Sequence, residues 1–182
     1  MKHFKGYSSI YQVKDERGLI LPASEVVDRG IAVPGAGESG WGLGPNEIPL
    51  GPNLQLDNFR QYMAYAMTFR APVGNYVLQR FGVGTGTLPP TTADVQLQNV
   101  VPLVAPDSPT ATNKLVDYCA YPSPFNVQIF FTLGVQDAIG QLITELGLYA
   151  GDQTTLLIRW TLPAGVQSTG QNSVTFCHRL NF

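Results

Sequence analysis

The chain has 182 residues, a formal net charge of -2 and only 13% charged residues, against about 25% in an average soluble domain. That length accommodates one domain of about 100–150 residues and an appendage. The charge balance offers no basic footprint for nucleic acid, and no run approaches the roughly 18 apolar residues of a membrane span, so neither partner is expected.

The first segment, MKHFKGYSSIYQVKDERG, carries charges and no apolar core, unlike a signal peptide. Through Met1–Pro52 short apolar pieces alternate with charges, Gly and Pro. Val33–Pro52 is too rich in Gly and Pro for a helix, and its prolines remove ladder donors from any central strand. A solvated leader competes with an extended arm seated in a neighbour's groove. Trp41, Leu43, Ile48 and Leu50 are apolar anchors that a leader lacks, and they favour the arm.

Asn53–Met67 predicts the one helix, since Leu56, Phe59, Met63, Ala66 and Met67 follow the spacing of a single buried face. Asn53 is its expected N-cap. From Asn75 onward, six to eight strands separated by Pro, Gly and Asp turns predict an antiparallel β-sandwich, jelly-roll or Ig-like, over residues 53–182. Its centre is the hairpin Glu145–Leu162. Alternation puts Leu156, Ile158, Trp160 and Leu162 on one face, with Arg159 on the other. Glu145 lies among Ile143, Leu146 and Leu148, where a carboxylate needs donors. Arg159 is the candidate partner across the hairpin.

Catalytic chemistry is hard to assemble. His3 lies near the start of the chain, and His178 follows Cys177 on a strand, where neighbours point to opposite faces. No spacing of His, Cys and carboxylates suits a metal, and no cofactor is expected. Cys119 and Cys177 read as buried free thiols. Gly82–Gly86 superficially resembles a phosphate loop, but Thr87-Leu88-Pro89-Pro90 follows where a helix would have to begin. Gly84 and Gly86 are better explained by a positive φ or a close backbone approach, with Pro89 and Pro90 fixing the exit.

GVGTGTLPPTTADVQLQ (82–98), followed by GQLITELGLYAGDQTTLLIRWTL (140–162), resembles a pattern of small virion proteins of tailed bacteriophages. The matching residues are Gly84, Thr85, Gly86, Thr87, Pro89, Pro90, Asp94 and Leu97, then Glu145, Gly147, Leu148, Tyr149, Arg159 and Trp160. The resemblance covers about residues 53–182 and implies a non-enzymatic structural subunit, located in the virion. Its partners would be further copies of itself and neighbouring virion proteins, in a homo-oligomer within the particle. Tail, baseplate or neck is preferred to decoration of the capsid head. The rival is a carbohydrate-binding module of a receptor-binding structure, for which Trp41 and Tyr121 are the candidate aromatics.

Overall fold

The structure is a computed structural model and describes residues 5–32, 34, 47–55, 78–105, 108–123 and 126–181. In chain order the elements are β1 (Lys5–Lys14), α1 (Ala23–Asp28), β2 (Ile48–Gln55), β3 (Leu78–Gly84), β4 (Val100–Val101), β5 (Leu103–Ala105), β6 (Ser108–Ala111), β7 (Lys114–Leu115), β8 (Tyr118–Ser123), β9 (Asn126–Leu133), β10 (Leu142–Ala150), β11 (Leu156–Gln167) and β12 (Ser173–Asn181). All of these strand pairings are antiparallel. One layer runs β2-β1-β12-β9-β8. The other runs β11-β10-β3, with β4 and β7 along its edge. Strand β2 joins them, pairing with β1 through Ile48–Asn53 and with β11 through Leu54 and Gln55.

Alternating apolar residues turn the two layers toward each other. The Phe131 ring of β9 lies 4.8 Å from Phe81 of β3 and 6.2 Å from Trp160 of β11, centroid to centroid. Trp160 in turn stacks on His178 of β12 at 5.0 Å. Offset and edge contacts of this kind add to the area that the rings bury. The fold is an all-β sandwich. Strand β12 is covered on both sides: Val174, Phe176 and Leu180 face the core, and Thr175, Cys177 and Arg179 face away yet are also buried.

Several expectations change. The division at residue 52 falls inside β2, and β1 lies between β2 and β12 rather than off the domain. Tyr7, Ile10 and Val13 are at most 1% exposed. Ile48 and Leu50, expected to anchor an arm on a neighbour, belong to this sandwich's own core. Trp41 and Leu43 lie outside the described residues. The charges that interrupt the N-terminal segment mark a turn, where the Asp15 carboxylate accepts the N–H groups of Arg17 and Leu19.

The helix expected from Asn53 does not begin there, because Asn53 pairs with Gly6, and Leu54 with Arg159, in the ladder. Two flanking strands offer more backbone bonds than one cap. Residues 56–67 lie outside the described residues, and the helix among those described is α1, with Val26 buried. In β11 the face assignment also shifts. An irregularity pairs Leu148 with Ile158 and Tyr149 with Leu156, so Leu157 enters the core while Leu156 packs on the outer face with Leu97 and Tyr149. Cys119 and Cys177 are both free, but only Cys177 is fully buried.

Candidate functional site

The outer face of β3, β10 and β11 carries the residues that the sequence singles out. Glu145 pairs with Gly84 and Gly147 with Gly82 across β10–β3, and Gly147 pairs with Arg159 across β10–β11. Three glycines on neighbouring strands leave a trough in the sheet surface. A Cβ on Gly147 would meet the Leu97 side chain at 2.9 Å, and one on Gly84 would meet both Asn99 O and Glu145 Oε2 at 2.6 Å. The loop 85–99 fills this trough. Thr85 N donates to Asn99 O at 2.9 Å and closes the loop at its base, as in a compact Ω-loop.

Glu145 and Arg159 hold the loop from below, and neither side chain is exposed. Arg159 Nε donates to Glu145 Oε1 at 2.5 Å. Its other nitrogens reach the loop itself, Nη1 to the Asp94 carboxylate and Nη2 to Leu88 O at 3.1 Å. The Glu145 carboxylate also accepts Gln98 N on both oxygens, at 3.0 and 3.1 Å. One ion pair therefore binds both limbs of the loop, through Leu88 and Asp94 on one side and Gln98 on the other. Such a pair survives desolvation because backbone donors and acceptors complete its hydrogen bonding.

Asp94 is positioned by its own turn, with Thr91 N donating to Oδ2 at 2.9 Å and Thr91 Oγ1 to Oδ1 at 2.7 Å. Burial would raise its pKa, but the Thr91 hydrogen bonds and Arg159 outweigh it and hold the carboxyl below its ordinary value. Burial pushes the Tyr149 phenol up to about 12, against a hydrogen bond with the backbone of Leu97, and the charge of Glu145 adds to the rise.

Gly84 and Gly86 do not adopt positive φ; both are close-approach positions, and a Cβ on Gly86 would meet Glu145 Oε2 at 2.5 Å. Pro89 is exposed and Pro90 half-buried, between Leu88 and Thr91, which both engage the cluster. Gly84, Gly86, Glu145 and Arg159 thus converge on one site. Asp94, Thr91 and Gln98 complete it. Thr91-x-x-Asp94 carried a local signal in its turn spacing; Gln98 contributes its backbone N–H and carried none.

Chemically this cluster is a fastener. The Glu145 carboxylate has no path to solvent and is committed to Arg159 and Gln98, so it has no oxygen to offer a substrate. A cleft of about 310 Å³ lined by Asp15, Glu16, Arg17, Arg29, Gln171 and Asn172 shares no residue with it.

A second buried set lies on β12. Arg179 donates to Ser9 Oγ at 2.9 Å and to both oxygens of Glu47 at 2.7 and 2.8 Å. On the opposite face Ser8 Oγ lies 3.0 Å from His178 Nδ1. Burial first, and the Arg179 charge second, push the His178 imidazole down to about 3, so it is neutral at physiological pH. Comparison with protein-family models, with curated proteins and with solved structures gives no match.

Proposed function

We propose that this chain is a non-enzymatic structural subunit of a tailed-bacteriophage particle, placed in the tail, baseplate or neck rather than on the head. The observation that carries the reading is where the charges go. From Ala71 to Phe182 the sequence has ten charged residues. Six of them, Asp94, Lys114, Asp137, Glu145, Arg159 and Arg179, are in ion pairs with at least one partner no more than 2% exposed. The surface that this part of the chain contributes is left poor in charge, while Leu88, Val95, Leu115, Tyr118 and Tyr121 are each more than half exposed. A surface of this kind associates readily, at about 25 cal/mol per Å² of apolar area removed from water.

The convergence of the GTGT-x-PP and E-x-G-L-Y segments on one fastener also supports the reading. It gives the residues behind the resemblance a structural task, namely to clamp the loop 85–99 onto the face of the sheet. The test is mass spectrometry of density-gradient-purified particles of the phage that encodes the chain, with antibody labelling in electron micrographs. Stoichiometric presence with label on the tail is expected. Absence from intact particles overturns the proposal, and label confined to the head overturns the placement.

A further inference from the structure

The sheet stops at β8. Among the described residues this strand has β9 on one side and no strand on the other, at the end of the strand path. Edge strands are commonly guarded by charge, because their open backbone groups invite another strand. The sequence of β8, YCAYPS, carries no charge. Its guard stands at the far end only, where Pro122 and an irregularity between Ala120 and Ser123 interrupt the ladder. Tyr118–Tyr121 is left as the open stretch, with Tyr118 52% and Tyr121 73% exposed.

The ladder tells which backbone groups are open. Asp117 N donates to Phe130 O at 2.8 Å, so the backbone groups of Phe130 turn toward β8. Its partner Tyr118, and Ala120 two residues on, therefore bond toward β9. Cys119 between them directs its N–H and C=O to the open side. The Cys119 side chain packs inward against the core, so Tyr118 and Ala120 point outward. One face of the Tyr118 ring rests on Phe130, 4.5 Å away.

We infer that β8 pairs antiparallel with β8 of a second copy, about a twofold axis at Cys119. This deepens the assembly reading, on which it rests for the choice of partner. With the axis there, the N–H and C=O of each Cys119 meet those of the other in a hydrogen-bonded pair. Tyr118 and Ala120 cannot centre such a pair, because their backbone groups are committed to β9. On either side of the axis Tyr118 stands opposite Ala120 of the second copy, in a non-hydrogen-bonded pair where side chains approach most closely. A ring against a methyl group suits that spacing, and the symmetry supplies the match twice. The two Asp117 carboxylates fall at opposite ends of the paired stretch, about 13 Å apart along the strand. Each already accepts the Thr132 hydroxyl, so no like charges meet across the join.

The test is sedimentation velocity of the full chain from about 5 to 500 µM, with cross-linking. One short edge is at the small end of interface size, so a Kd of about 10–100 µM is expected, with the mass rising toward that of two chains. Copper–phenanthroline should oxidise the two Cys119 thiols to a disulfide, their two protons going to solvent and two electrons to copper. The Cα separation of a hydrogen-bonded pair, about 5.5 Å, suits that bond. Cys119→Ser should abolish the cross-link, and Cys177→Ser should not. Cys119→Pro removes an N–H on the open side alone and should weaken the dimer at least tenfold. Ala120→Lys, which sets a charge against the Tyr118 ring, should do the same and serves if melting curves show Cys119→Pro to be unfolded. Val95→Lys, on the loop over the other layer, should leave the dimer unchanged. A monomer at every concentration, a dimer indifferent to the folded edge variants, or a dimer that does not cross-link through Cys119 would each overturn the pairing. A chain that is monomeric in solution yet stoichiometric in particles refutes the pairing alone, and a dimer absent from particles refutes the assembly reading alone.

Discussion

Glu145 Oε1 and Arg159 Nε meet at 2.5 Å on the outer face of the second layer, and neither side chain reaches solvent. Glu145→Gln keeps the shape of the side chain and removes its charge, leaving Arg159 with the partly exposed Asp94 as its counter-ion among the described residues. Removing one partner of a buried pair costs about 3–5 kcal/mol. The variant should fold with a melting temperature lowered by many degrees, measured by calorimetry. An unchanged melting temperature would show that the pair contributes nothing to the fold.

The trough makes a sharper prediction for glycine. A Cβ at Gly84 would stand 2.6 Å from the backbone oxygen of Asn99, which cannot swing away as a side chain could. Gly84→Ala should therefore destabilise the chain by about 1–3 kcal/mol in urea unfolding. Gly18 is the contrast. It has φ +79° and open space around it, so Gly18→Ala incurs only the conformational cost, about 1 kcal/mol. Equal losses at the two positions would remove close approach as the reason for Gly84.

Most strands from Leu78 onward were legible because their alternation is strong and their turns carry Pro, Gly and Asp; β6 was not, because Ser108 and Pro109 read as turn residues. Glu145 was legible for the opposite reason, as a charge in an apolar run. The N-terminal strands were not. In β1 the polar Ser8 and Ser9 point to opposite faces, yet both are 0% exposed because His178 meets the one and Arg179 and Glu47 meet the other from distant parts of the chain. No local pattern encodes such a partner. The same holds for Lys114 and Asp137, where an exposed-looking lysine closes onto a buried carboxylate and lies over the Phe81 ring. The irregularity that moves Leu156 to the outer face also leaves no mark in the alternation of β11.

His178 should set the acid sensitivity of the fold. Its native pKa is lowered to about 3 from an ordinary 6.5, so between those values the unfolded chain binds a proton that the native chain does not. Its contribution is therefore intact above the ordinary value and is lost as pH falls toward the native one. The slope should approach about 1.4 kcal/mol per pH unit between roughly pH 6 and pH 4. Asp94, also depressed, adds a separate loss at lower pH, below the ordinary carboxylate value. Urea unfolding of wild type and His178→Gln across this range should show a shallower slope in the variant. Parallel curves would mean that His178 titrates normally.

Deleting residues 1–52 removes β1 and most of β2. The layer then loses the partner of β12 on one side, together with the core side chains of Ile10, Val13, Ile48 and Leu50. The truncated chain should lack a cooperative thermal transition and should expose apolar surface to a hydrophobic dye. A soluble product with a sharp transition would restore the N-terminal segment as a dispensable arm.

The seating of β12 between β1 and β9 has a consequence for how the molecule is made. Ser8 and His178, or Ser9 and Arg179, touch across 170 residues of sequence. On the ribosome, β1 and β9 emerge long before β12 exists, and each waits with a ladder of unpaired backbone groups. Contacts of such separation form slowly, and open strand edges invite pairing between nascent chains. Translation must therefore reach the stretch around Ser173–Asn181 before the first layer can close. A ribosome stalled short of that point would hold a chain whose natural next step is to join another.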